Sequence, residues 1–176
     1  MMTWQLLLTL TFPSLRPSAS DVRSELGAVL YETNVLGTRG PRKMTVLVPR
    51  VGGGGSASPE GAGPTLRASF KPDGGSESML ELHKKGQRDA RFQVYHNKSP
   101  DWNEQLGAYC LNFNGRVTEA SVKNFQLVEG DEGEQIVLQF GQVDDNEFTM
   151  DFKYPMCALQ AFGICLSSFD GKLACE

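Results

Sequence analysis

Histidine is nearly absent from this chain, with two in 176 residues. His83 and His96 lie in separate strand-like segments without companion ligands, which leaves a metal site or a histidine base without support. The four cysteines, Cys110, Cys157, Cys165 and Cys175, form neither a C-x-x-C pair nor any zinc-finger spacing. Cys157 and Cys165 would stand about 12 Å apart along one helix, beyond disulfide reach, so both read as small core residues of a reducing compartment. No serine or cysteine occupies a nucleophile motif, and Asp144, Asp145 and Glu147 read as solvated hairpin charges. The chain is therefore expected to be no enzyme and to need no cofactor. The glycine run at 52–55 lacks the following Lys-Ser/Thr of a phosphate loop. Excess positive charge is missing as well. With 17 basic and 21 acidic residues the net charge is −4, which argues against a general nucleic-acid binder.

A chain of this length and ordinary apolar content is expected to form one domain with a substantial core. The charge is uneven: 16–50 carries a net +3 and the remainder −7, a distribution that suits an anionic partner at one end. Residues 1–20 are expected to be an irregular or leader-like start, apolar and then small but without a basic opening. Asp21–Leu26 suggests a short helical turn before the apolar run Ala28–Tyr31. Met44, Val46 and Val48 alternate in a strand that Pro49 ends. Residues 51–65 have the composition of a flexible surface loop. Short strand candidates then recur at Leu66–Phe70, Ser78–Leu82, Arg91–Tyr95, Ala108–Phe113, Val122–Val128, Gln135–Phe140 and Glu147–Phe152. This rhythm predicts an antiparallel sandwich or barrel.

The C-terminal stretch differs in kind. Pro155 suits a first helical position and Gly171 a helix stop. Between them Met156–Leu166 holds one strongly polar side chain, Gln160, and is too short to span a bilayer. A helix apolar on every face must be enclosed by protein. The expected fold is mainly β with one central helix (α+β): an antiparallel barrel curled around that helix, leaving no cavity for a carried ligand, so that binding falls on the outside.

Several long stretches resemble the tubby family: Tyr31-Glu32-Thr33-Asn34-Val35-Leu36-Gly37 with Gly40-Pro41-Arg42-Lys43-Met44; Asn112 through Thr118; Ala120 through Gln126; Leu138 through Gly141; Phe148 through Asp151; and Tyr154 through Phe162 with the ending Leu166–Glu176. The resemblance runs from about Val22 to the end, making 21–176 a partial tubby C-terminal domain. It implies a closed barrel threaded by a hydrophobic C-terminal helix, and binding of membrane phosphoinositides, phosphatidylinositol 4,5-bisphosphate above all. It also implies an adaptor that carries membrane receptor cargo into cilia from a cytoplasmic, peripheral-membrane location. A nuclear transcription regulator and a secreted bridging ligand are the alternatives; DNA is the less expected partner.

The family's phosphoinositide site includes an arginine in a Leu-Arg-x-Glu-Leu motif. Here that motif reads Val22-Arg23-Ser24-Glu25-Leu26, so the resemblance gives Arg23 that role, and a guanidinium can make paired bonds to phosphate oxygens. Arg42 and Lys43 are secondary candidates that turn charges explain equally. The family's upstream Lys-x-Arg pair is not found before Arg23, since Ser14 stands two residues ahead of Arg16. The segment that binds intraflagellar transport complex A is not found either. The barrel is accordingly expected to be incomplete, with Phe162, Ile164 and Leu166 less well covered than their composition demands.

Overall fold

The computed structural model describes residues 4–12, 24–32, 43–50, 70, 78–87, 90–105, 107–130 and 135–170. Among the described residues nine strands and two helices follow in chain order: β1 (Trp4–Phe12), β2 (Ser24–Glu32), β3 (Met44–Pro49), α1 (Met79–Lys84), β4 (Phe92–Asn97), β5 (Asp101–Asn103), β6 (Ala108–Cys110), β7 (Phe125–Glu129), β8 (Ile136–Asp144), β9 (Glu147–Phe152) and α2 (Ala158–Ser167). Among the described residues seven strands form one sheet in the order β1-β2-β3-β4-β7-β8-β9, and β5 pairs with β6 alone. Every pairing is antiparallel. The sheet curls into a half-barrel, and α2 lies against β9, β1 and β2.

Both faces of the central strands are covered, which explains why Ala28–Tyr31 is a continuous apolar run. On the concave face Val29, Val46, Tyr95, Leu127 and Leu138 pack with Ala161 and Ile164 of α2. On the convex face Ala28, Leu30, Leu47 and Phe92 pack with Met79 and Leu82 of α1 and with Phe70. Tyr95 is fully buried, and burial pushes its hydroxyl up to about 12.

The polar atoms of α2 are placed. Gln160 is buried; its oxygen accepts from the Cys157 N–H (3.0 Å) and its amide donates to the Leu26 carbonyl (2.9 Å). A register shift between Gly27 and Glu25 marks a bulge at Leu26, the kind of irregularity that leaves a backbone group to be satisfied outside the ladder. The Tyr31 hydroxyl meets Ser167 Oγ at 3.0 Å.

The barrel-and-helix architecture is found, with corrections. Trp4–Phe12, inside the stretch expected to be irregular or leader-like, forms a strand paired with β2. Ser24–Leu26 belong to β2 and not to a helical turn. Ser78–Leu82 is not a strand: Ser78 caps α1 through a reciprocal pair, Ser78 Oγ accepting from the Glu81 N–H (3.2 Å) and Glu81 Oε2 from the Ser78 N–H (2.8 Å), which closes a helix N-terminus. His83 therefore sits on a helix. The candidates at 108–113 and 122–128 shrink to Ala108–Cys110 and Phe125–Glu129. Pro155 stands in the turn before α2, whose N-cap is Cys157. Cys157 is exposed, whereas Cys165 is buried, and burial pushes its thiol up to about 12. The loop 51–65, Leu66–Ser69 and Gly171 lie outside the described residues.

The helix is not enclosed all round. Leu159, Phe162, Leu166 and Phe169 are each about half exposed, at 48%, 53%, 49% and 45%, while Ile164 is 1% exposed. The expectation of thin cover holds for Phe162 and Leu166 and fails for Ile164. No described helix is long and apolar enough to cross a membrane.

Candidate functional site

Three antiparallel strands bring their ends together. β2 begins at Ser24, β3 ends at Pro49 and β4 begins opposite it at Phe92. The flanking residues Arg50 and Arg91 are joined by a hydrogen bond from the Arg50 N–H to the Arg91 carbonyl (2.7 Å). Phe70 ties this corner to the start of β2 through a two-way backbone pair with Glu25, both bonds 2.8 Å. Its ring meets Phe92 edge-on, with centroids 6.2 Å apart. The Arg91 guanidinium lies over the Phe70 ring at 4.5 Å, a favourable cation–π contact.

The carboxylate at this corner is turned away. Glu25 immediately precedes the bulge and is buried, its Oε2 accepting from the Met79 N–H (2.9 Å). Burial, opposed by that hydrogen bond, holds the carboxyl above its ordinary 4.5. Between 4.5 and the raised value the folded chain binds a proton that the unfolded chain has released, so acidification through this window stabilises the fold. Glu25→Gln keeps an acceptor for Met79 and removes the buried charge. It should hold or raise the melting temperature at pH 7, and the difference from wild type should shrink toward pH 4.5. A variant less stable at pH 7 than at pH 5, relative to wild type, would contradict this.

Of the residues singled out from the sequence, Arg23 and Arg42 lie outside the described residues. Lys43 is described. Its carbonyl accepts from the Glu32 N–H (3.0 Å) and its Nζ stands 3.7 Å from the Glu32 carboxylate, with 70% of the lysine side chain exposed. Such an exposed ion pair contributes little. Glu32 is the last residue of β2 and Ser24 the first, so Lys43 stands about 26 Å from the strand's start. Arg50 and Arg91 were legible only as a unit of charge and as the start of a strand candidate. Strand register makes them neighbours, across 41 positions of sequence.

The opposite end of the sheet holds a cleft of about 550 Å³, lined in part by Met44, Leu111, Phe113, Val117, Lys98 and Lys123. The segment that forms its wall is pinned to β8 and β9. Arg116 makes a two-pronged contact with Asp151 (2.9 and 2.8 Å), and the Gln139 amide donates to the same carboxylate (2.8 Å). These hydrogen bonds, Arg116's first, hold Asp151 below the usual carboxylate range. The Lys98 Nζ is 3.7 Å from Asp101, and Lys123 lies over the Phe169 ring at 5.5 Å. Among the described residues no group of three or more His, Cys, Asp or Glu side chains is placed to hold a metal ion.

The Tub family model matches residues 11–171. The chain belongs to the tubby family. The match begins within β1, upstream of the Val22 boundary expected from motifs. The chain is 50% identical over 156 residues to Tubby protein homolog 1 of Caenorhabditis briggsae, covering 89% of this chain and 35% of that one. It is 52% identical over 159 residues to human Tubby-related protein 1 (90% and 27%) and 53% over 158 residues to mouse Tubby-related protein 2 (90% and 26%). The chain thus spans about a quarter to a third of the length of these relatives.

Proposed function

We propose that this tubby-family chain is a phosphoinositide-binding adaptor module. It recognises phosphatidylinositol 4,5-bisphosphate through Arg23 and links membrane receptor cargo to cilia from the cytoplasmic face of the plasma or ciliary membrane. The reading is carried by one observation: Arg23, in the motif that resembles the family's headgroup site, directly precedes Ser24 at the sheet end where Arg50 and Arg91 meet. Arginine suits the task because its planar fork pairs with phosphate oxygens and stays charged at any working pH. Lys43, a strand's length away and facing Glu32, has at most a long-range share, and Arg42 precedes it in sequence. The chemistry asked of the chain is binding, with no reacting group and no cofactor.

Co-sedimentation with vesicles carrying a few mole per cent of the bisphosphate tests it. Arg23→Ala should weaken binding about 10-fold or more, the value of one charge-assisted phosphate contact, whereas Lys43→Ala should change it by less than about twofold. Equal binding by wild type and Arg23→Ala would remove Arg23 from the site.

A further inference from the structure

We infer that the cleft at the far end of the sheet is a docking site for an amphipathic helix of a partner protein, one with large apolar anchors and acidic flanks. The inference rests on the adaptor reading above, to which it adds the surface that a protein partner occupies.

The chemistry of the cleft selects what can enter. Its lining is largely apolar, from Met44 on the sheet to Leu111, Phe113 and Val117 on the wall. The polar side chains of the wall are already engaged. Thr118 Oγ1 donates to the Val143 carbonyl (3.0 Å), and Asn124 donates to the Glu119 carbonyl (2.8 Å) and accepts from the Gln142 N–H (2.9 Å). An extended peptide would bring backbone donors and acceptors into this apolar space, which is costly unless they find partners. A helix has paired its own and presents side chains alone to a groove. The volume of about 550 Å³ lies in the ordinary range of ligand sites and suits a few large side chains.

Aromatic rings extend the apolar surface past the cleft. Tyr109 lines it and is exposed, and its ring meets that of Trp102, its exposed cross-strand partner, edge-on with centroids 5.1 Å apart. Val122, 65% exposed, stands in the lining as well. Exposed tyrosine and tryptophan beside an apolar depression are suited to a protein-binding hot spot, and a ring already held in place loses little freedom on binding. A lone acyl chain would leave these rings in water.

Charge sets the flanks. Lys98 is matched by Asp101 at 3.7 Å, and Glu119 is the acid of the lining. Lys123, next to Val122, has its Nζ over the Phe169 ring at 5.5 Å and pairs with no carboxylate among the described residues. It favours a carboxylate beside the apolar anchors. Position favours a protein over the bilayer. Met44 pairs with Tyr31, seven residues along β2 from Ser24 and so about 23 Å from it. A chain held to a membrane by its Ser24 end carries the cleft outward, past the headgroup layer.

The full chain is titrated by fluorescence anisotropy, without vesicles, against a panel of labelled helices of about 18 residues, long enough to fold alone. Each carries Leu, Met or Phe at i, i+4 and i+7 with Glu or Lys on the flanks, and a control has Ala at the anchors. Glu-flanked helices should bind at least about 10-fold tighter than the Ala control and about 3-fold tighter than their Lys-flanked counterparts. Val122→Asp should weaken binding about 10-fold, and Lys123→Glu should reverse the flank preference. Both variants should unfold as cooperatively as wild type, and Arg23→Ala should bind the helices as wild type does. If no helix binds better than the Ala control, or if Val122→Asp and Lys123→Glu both bind as wild type does, the inference is overturned. Displacement of the best helix by equimolar laurate overturns it as well and makes the cleft an acyl-chain site. Helix binding that persists in a chain indifferent to the bisphosphate overturns the lipid reading and leaves the docking site standing.

Discussion

Ile164→Ala should lower the unfolding free energy by about 2–4 kcal/mol, whereas Phe162→Ser, on the same helix, should change it by less than about 1 kcal/mol. The two residues test how far the half-barrel covers α2. Ile164 is 1% exposed, packed among the concave-face side chains of the sheet. Truncating it removes apolar contacts and leaves a cavity that a curled antiparallel sheet collapses into only in part. Phe162 is 53% exposed, so much of its ring is already in water and its removal forfeits little burial. Urea titration of both variants, with matched slopes, measures the pair. Phe162→Ser should also raise solubility, because Leu159, Phe162, Leu166 and Phe169 are spaced three, four and three residues apart and make one apolar stripe. A Phe162 variant as costly as the Ile164 variant would mean that the stripe is covered in solution.

Gly141→Ala should cost about 1–3 kcal/mol, and most of that should return in the double variant Gly141→Ala/Val117→Ala. Gly141 lies in β8, and a Cβ added there would stand 2.6 Å from Val117 Cγ1 and closer still to Cγ2. The valine cannot simply step aside. Its segment is fastened by the Arg116–Asp151 contact, by the Thr118 and Glu119 N–H groups on the Gln142 carbonyl (3.2 and 3.1 Å), and by Thr149 Oγ1 on the Arg116 carbonyl (2.8 Å). Strain therefore falls on both the strand and the cleft wall. A double-mutant cycle read by thermal unfolding gives the coupling, and additive costs would show that the clash relaxes without involving Val117.

Much of the fold was readable in order of residue type. The alternation in Met44–Val48 and the all-apolar helix with Gln160 as its one strongly polar side chain pointed to a curved sheet around a helix. Gln160 answers its own anomaly, because its amide reaches a carbonyl at the Leu26 bulge. The capping box Ser78-Met79-Leu80-Glu81 was also present in the sequence, with Met79 and Leu82 at helical spacing. A five-residue window serves a strand equally well, and the reciprocal Ser78–Glu81 bonds decide it. The apolar composition of α2 overstated its cover because composition cannot tell which strands stand beside it. The arginine corner was the least legible part: the strand register that joins Arg50 to Arg91 is a tertiary fact, and no local pattern encodes it.

The bonds from Gln160 to Leu26 and from Tyr31 to Ser167 span 134 and 136 positions of sequence. They impose an order on biosynthesis. Strands β2 to β9 leave the ribosome before the helix that fills their concave face has been made, and at about 5–20 residues per second β2 waits several seconds for its partner. Loop closure over such lengths is slow compared with local hairpin formation. The nascent sheet therefore passes through an interval with Val29, Val46 and Leu138 unsheltered, and chaperone capture should be strongest on chains arrested just before Cys157.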